Sequence, residues 1–277
     1  MLQKDVFELL NNKIMNKIKH NLKIFFLFSK FSLKTTFQTR LGVIFLLLGK
    51  AVRFLFFFSL IYFIFARVKL LKGYTLNQAA IFYLTFNLID TISQILFREV
   101  YRFRPLVVSG DFDTVLTKPY HPLLRILLGG VDYLDVIMIV PYVLLTIFFA
   151  GQNPSTTLLS TFNFSLLIFN SLLMATAFHI SVLAFGVITT EVDNTIIVYR
   201  DLTSLGRFPI DIYQRPLREI FTFIIPVGVM MTFPAKALFC LLLWPNIAYI
   251  FIIGIVLFWL SLKFWYYALR TYQSWGG

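Results

Sequence analysis

Residues 54 to 66 read FLFFFSLIYFIFA, with no charge and no proline in the run. A surface of this kind has no polar face to give to water, so it belongs in a bilayer or a core. The run alone is shorter than the ~20 residues a membrane crossing needs. The helix must therefore reach back through Arg53 and Lys50, giving a span over 41–66. Five more apolar segments follow, at 77–97, 123–150, 162–190, 220–240 and 247–269. The expected fold is an all-α polytopic membrane protein with six transmembrane helices over 41–277. The chain is 58% hydrophobic and only 14% charged, where a soluble domain carries roughly a quarter charged residues. Its mean hydropathy is +0.80. Cys240 is the only cysteine, which rules out an intrachain disulfide and a thiolate metal cluster.

The net charge of +12 raises nucleic acid as a partner, but the basic residues sit between apolar runs, so none is expected. Residues 1–40 carry seven lysines and Arg40, with no unbroken apolar core and no small-residue cleavage site, unlike a signal peptide. Phe7, Leu10, Ile14, Ile18, Leu22 and Phe25 recur at steps of three and four. That spacing predicts a basic amphipathic helix lying along the cytoplasmic leaflet of the bilayer. With this head inside, the inner segments, including Arg200, Arg207, Arg215 and Arg218, collect eighteen basic residues against four outside. The excess of cytoplasmic lysine and arginine puts both termini in the cytoplasm.

The fifth apolar segment holds Pro226, Gly228 and Pro234, so an unbroken helix is not expected there. Residues 233–239 read as a short re-entrant or interfacial helix near the outer face, with a simple kinked span as the alternative.

Charges also enter the spans. At 1.5 Å per residue, Lys50 and Arg53 lie roughly 13 and 18 Å into the first span, and Asp90 roughly 10 Å into the second. Asp132 and Asp135 lie roughly 13 and 18 Å into a third span beginning at Leu123. Two cations and three carboxylates thus share one layer, where unpaired charge costs several kcal/mol. Near balance of the two signs favours a helix-packing clamp over a proton or ion path. His179, alone on the fourth span, reads as a hydrogen-bonded packing residue. No HExxH pair or GxSxG elbow occurs. No enzyme chemistry, cofactor or metal is expected in this chain.

A phosphate-cradling loop is missing too. The nearest imitation, GVIFLLLGKAV, has the wrong spacing and no hydroxyl after the lysine. An ATP-driven function would need an engine on another chain. The inner segment REVYRFRPLVVSGDFDTVLTKPYHP, residues 98–122, fits such a contact. Gly110 permits a tight turn, Asp111 or Asp113 can cap a helix starting near Phe112, and Pro119 ends it. A short helix held between rigid ends can transmit a push from a partner. The bland alternative is an interfacial connector.

The order of these features resembles the permease subunits of type-2 ATP-binding-cassette (ABC) exporters, in the six-span branch without a fused ATPase. The matching stretches are SGDFDTVLTKPYHPL after the second span, GRFPIDIY at 206–213, Ile225–Pro226 with TFPAKAL at 232–238, and the tail ALRTYQS at 268–274. Threonine-lysine in LTKP replaces the branch's more usual leucine-arginine, and the basic-proline unit is kept. The resemblance implies a second permease subunit, alike or different, in the same bilayer. It also implies separate cytoplasmic ATPase subunits holding ATP and magnesium, and a bacterial cytoplasmic membrane. By the same resemblance, Gly110, Asp111, Asp113, Lys118 and Pro119 form the coupling contact. The competing reading is a self-contained secondary transporter or channel driven by an ion gradient through Lys50, Arg53, Asp90, Asp132 and Asp135.

Overall fold

The computed structural model describes residues 2–189 and 192–273, with side chains described from Lys19 onward. The side chains of Phe7, Leu10, Ile14 and Ile18, and the residue Thr190 that closes the fourth expected span, lie outside the described residues.

A long helix α1, Leu2–Thr36, precedes α2, Arg40–Arg67, and α3, Leu76–Phe97. A 3₁₀ turn, Arg98–Arg102, leads into three short helices: α4 (Phe103–Val108), α5 (Asp111–Thr117) and α6 (Pro122–Leu127). Then come α7 (Tyr133–Gly151), α8 (Leu158–Thr189) and α9 (Val192–Ser204). A bent pair follows, α10 (Leu217–Ile224) and α11 (Val227–Leu238), before the last helix, α12 (Trp244–Thr271). Among the described residues, α2, α3 with its continuation to Val108, α7, α8 and α12 are long and apolar enough to cross a bilayer. Phe45, Phe56 and Phe63 on α2 are 70%, 76% and 67% exposed, as lipid-facing side chains would be. The end of the bundle carrying α4–α6 is called the near end here, and the opposite one the far end.

Local sequence explains the helix boundaries. Thr75 and Gln78 form a reciprocal capping box at the start of α3. Asp132 caps α7, its carboxylate accepting from the Leu134 amide at 3.0 Å. The third expected span therefore needs correcting. It begins at Tyr133, because the Gly129–Gly130 step and this cap separate α6 from α7. Asp132 and Asp135 thus stand in the first turn of α7, not 13 to 18 Å inside it. The second half of α1 lies across this break. Ser32 donates to the Val131 carbonyl at 2.8 Å, and Arg125 sits 3.8 Å above the Phe28 ring.

The core is built on α8. Ser171 donates to the Met230 carbonyl of α11 at 2.7 Å, and Asn170 donates to the Ile250 carbonyl of α12 at 3.1 Å. Gly254 lets α12 approach this closely, since a Cβ there would stand 2.1 Å from the Asn170 side-chain oxygen.

The largest departure from the sequence reading lies between Val192 and Leu238. The segment 192–219, expected as an inner connection, turns back into the bundle. Tyr199 packs 4.9 Å from His179, and Gly206 abuts Met231 and Phe86. Asp211 then accepts from the Tyr74 hydroxyl at 2.8 Å and from Lys236 at 2.7 Å. Tyr74 precedes α3 at the far end, so the chain from Val192 to Asp211 runs from near end to far end. Burial, then the hydrogen bond and charge of Asp211, push the Tyr74 hydroxyl well above the usual tyrosine range and keep it a donor.

Helices α10 and α11 consequently start and finish at the far end. Arg215, Arg218 and Glu219 line one cleft with Asp211 and Lys236, and Cys240 Sγ lies 3.4 Å from the Ser155 carbonyl in the α7–α8 connection. Between these ends the pair dips to the level of Ser171 and bends by 89°. A π turn at Ile220–Ile224 and Pro226 make the bend. The break is at Pro226; α11 continues through Pro234, so 233–239 is not a helix of its own. Pro234 leaves the Met230 carbonyl without its helical donor, and the Ser171 hydroxyl takes that place. The inner count of basic residues loses Arg200, Arg207, Arg215 and Arg218.

Two measurements check this topology. Membrane-impermeant maleimide should reach Cys240 and, in a Cys240→Ser chain, the cysteine introduced by Arg215→Cys from the same side of the membrane. Labelling from opposite sides would make 217–238 a simple crossing. Gly254→Leu should lower thermal stability by about 1–3 kcal/mol through overpacking against Asn170. Gly49→Ala, where a Cβ meets nothing within 4 Å, should not.

Candidate functional site

Two regions concentrate polar chemistry. The first is the near-end helix α5. Gly110 holds φ 79°, a left-handed conformation that glycine adopts without strain. The expected aspartate cap is replaced: Gly110 is the capping residue, and the Ser109 hydroxyl before it accepts from the Asp111 amide at 3.4 Å. Asp111 and Asp113 instead stand in the first turn, where the helix dipole favours negative charge. The Ser109 hydroxyl donates to the Asp111 carboxylate at 2.8 Å. Lys118 is extended, as a residue before proline tends to be, so α5 stops at Thr117.

What fixes α5 is Phe112. It is fully buried, edge-on to Phe103 of α4 at 5.3 Å, to Tyr272 at 5.1 Å and to Trp265 of α12 at 6.5 Å. Burying such a ring contributes about 1.5–3 kcal/mol. Asp111, Thr114, Thr117, Lys118 and Pro119 remain exposed on the outer face of this anchored helix.

The second region is a cavity of about 380 Å³ between α2, α3 and α7. Lys50, Arg53, Asp90 and Asp135 all line it. Lys50 donates to Asp135 at 2.6 Å, tying α2 to α7. Asp90 accepts from Gln94 one turn along α3 at 2.8 Å. Arg53 shares the cavity with Asp90 but forms no ion pair among the described residues. Asp132 is not in this cavity. It pairs with Arg98, beside a neighbouring cavity of about 320 Å³. The five charges expected in one layer are thus divided between two adjoining cavities, which share Lys50 and Gln94.

The structure also brings in residues the sequence reading assigned elsewhere. Arg207 enters the larger cavity, 5.3 Å from the Phe57 ring centroid and 5.5 Å from that of Phe86. Arg200 enters the smaller one, 5.8 Å from the Tyr101 ring centroid. A helical signal for α9 was present in Val192, Ile196 and Thr203, which are buried on one face. Polar residues between them hid it in a scan for apolar runs.

His179 is buried among Phe97, Tyr101 and Tyr199. Its Nδ1 lies 2.8 Å from the Ala175 carbonyl, which can only accept, so Nδ1 carries a proton.

No curated protein and no solved structure matches this chain. A family model described as "ABC-2 family transporter protein" matches residues 48–276. That match covers α2 from Leu48 onward, the later spanning helices, the α4–α6 segment and the charged residues of both cavities, and leaves out α1. The chain belongs to the ABC-2 family of transporter proteins, as an integral-membrane permease.

Proposed function

We propose that this permease couples ATP hydrolysis by separate ATPase subunits to export of a substrate, with α5 as the contact that receives the ATPase. The observation that carries this reading is the anchored helix. Phe112 locks α5 to α4 and α12, while Asp111, Lys118 and Pro119 stay exposed. A displacement applied to the exposed face is passed to the bundle because the buried ring cannot slide without losing its packing. On this reading the near end is cytoplasmic. The fourteen basic residues of the head, of α4–α6 with the preceding turn, and of the C-terminal tail support that side. A second permease subunit, identical or related, would complete the translocation path, and a bacterial cytoplasmic membrane is the location proposed.

The gradient-driven alternative draws on the same charged residues. Lys50–Asp135 and Arg98–Asp132 already satisfy two of the three carboxylates in the cavities. A proton relay through paired carboxylates would have to break those ion pairs at each cycle, which favours the ATP-coupled reading.

The permease co-expressed with its ATPase subunits and reconstituted in lipid nanodiscs gives the test. Asp113→Lys should lower the permease-dependent ATPase rate by about tenfold, equivalent to about 1.4 kcal/mol of coupling free energy. The amount of permease in the membrane should not change. An unaltered rate would remove α5 from the coupling role, and a chain that never associates with an ATPase would reject the ATP-driven reading.

A further inference from the structure

We propose that the two adjoining cavities bind an anionic oxygen group, phosphate-like in chemistry, carried by a molecule with an apolar body. The proposal begins with charge. Lys50 pairs with Asp135, Arg98 with Asp132, and Arg102 with Glu99 at 3.3 Å. That leaves Arg53, Arg200 and Arg207, none of which forms an ion pair among the described residues. One carboxylate, Asp90, lines the larger cavity with Arg53 and Arg207, and Arg200 acts on it electrostatically from the smaller one. Arg53 and Arg207 are near enough to repel one another. Among the described residues, the three arginines without an ion pair thus outnumber by two the one carboxylate left to them.

Such a surplus is unfavourable in an apolar slab, where little water screens repulsion. An anion relieves it. Guanidinium groups present a planar fork of donors that matches two oxygens of a phosphate or carboxylate, which a lysine ammonium does not. All three surplus cations are arginines. Neutralising helix packing alone would not need this choice.

The walls indicate the rest of the ligand. Phe54, Phe57, Phe86 and Leu60 line the larger cavity beside Arg53 and Arg207. Phe56 and Leu60, on the rim, are 76% and 47% exposed on the outer side of α2. The opening thus passes from a cationic floor to an apolar margin. An amphipathic anion fits both, with its charged group among the arginines and its apolar part along α2. This deepens the permease reading by naming a substrate class, and rests on it only for the word substrate. The binding itself needs no ATPase.

Calorimetric titration of the purified permease in neutral-lipid nanodiscs separates the possibilities. The probes are dioctanoyl phosphatidic acid, inorganic phosphate and dioctanoylglycerol. Phosphatidic acid should bind at least about tenfold more tightly than either of the others. Inorganic phosphate binding as tightly would overturn the role of the apolar wall, and dioctanoylglycerol binding as tightly would overturn the anion site. The pair Arg53→Gln with Arg207→Gln should abolish phosphatidic acid binding, whereas Arg67→Gln, at the far end of α2, should leave it intact. If the double variant does not fold, the single Arg207→Lys should weaken binding while keeping the charge; unchanged affinity would overturn the assignment. Because no ATPase is present, failure here leaves the ATP-coupled reading standing.

Discussion

Charge that enters an apolar layer has to be answered by charge, and the Lys50–Asp135 contact is where this chain meets that demand first. Lys50 stands about 15 Å along α2, level with the first turn of α7. Asp135 is 3% exposed in the first turn of α7. At 2.6 Å the two settle which face of α2 turns inward. Phe54, one turn further along, is then stacked on Tyr83 of α3 at 5.3 Å and tilted against Tyr142 of α7 at 5.0 Å. Phe57 and Phe58 follow it inward against Tyr83 and Phe149, while Phe45, Phe56 and Phe63 on the other side of α2 are left for lipid. One half-buried pair therefore sets the helix rotation, and the rotation carries Arg53 into the cavity.

The re-entrant pair obeys a related demand made by the backbone. Breaking a helix at membrane depth frees carbonyl and amide groups that hydrocarbon cannot satisfy. Ser171 supplies a donor to the Met230 carbonyl, and Thr232 accepts from the Ile210 amide at 3.1 Å. Met230 lies one turn before Pro234, which has no amide to give it, so hydroxyls on α8 and α11 answer that missing donor and the incoming Ile210 amide. Gly206 and Gly228, beside Met231, Ile210 and Phe221, leave room for the turn to tuck in. Position 228 is glycine because a side chain there would occupy space already held by Ile210.

Legibility in the sequence followed the length scale of the signal. Helices α2, α3, α8 and α12 announce themselves because a bilayer demands long apolar runs, and the composition supplies them. The short helix α5 is legible from Gly110 and Pro119, which act within one or two residues. The path from Val192 to Asp211 is not. Its helix is short, carries Asp193, Arg200 and Asp201, and is stabilised by contacts with distant residues such as His179 and Phe178. A linear count of basic residues consequently put Arg207 in a connecting segment and not in the cavity it lines. With it went the charge balance: five residues read as nearly neutral, while the folded cavities gather Arg98, Arg102, Arg200 and Arg207 as well. Residue types were visible throughout; the return of the chain that sums them was not.

The two regions are joined by very little chain. The 3₁₀ turn Arg98–Arg102 connects α3 directly to α4 and holds Arg98 on Asp132, while Tyr101 lies beneath Arg200. Phe103, the next residue, is the ring against which Phe112 of α5 is packed. On the proposed reading, a partner pressing on α5 moves Phe112, hence Phe103, hence a turn whose side chains line the smaller cavity. A 3₁₀ turn has weaker hydrogen-bond geometry than the α-helices on either side, so strain collects there before it spreads into α3. The arginines that would hold an anion thus stand one short, deformable turn from the surface a motor would push. Displacement of that turn changes the spacing of the guanidinium groups, and bidentate recognition is the interaction most sensitive to spacing. A permease organised this way would release its cargo by spoiling the fit, with no need to transfer a proton.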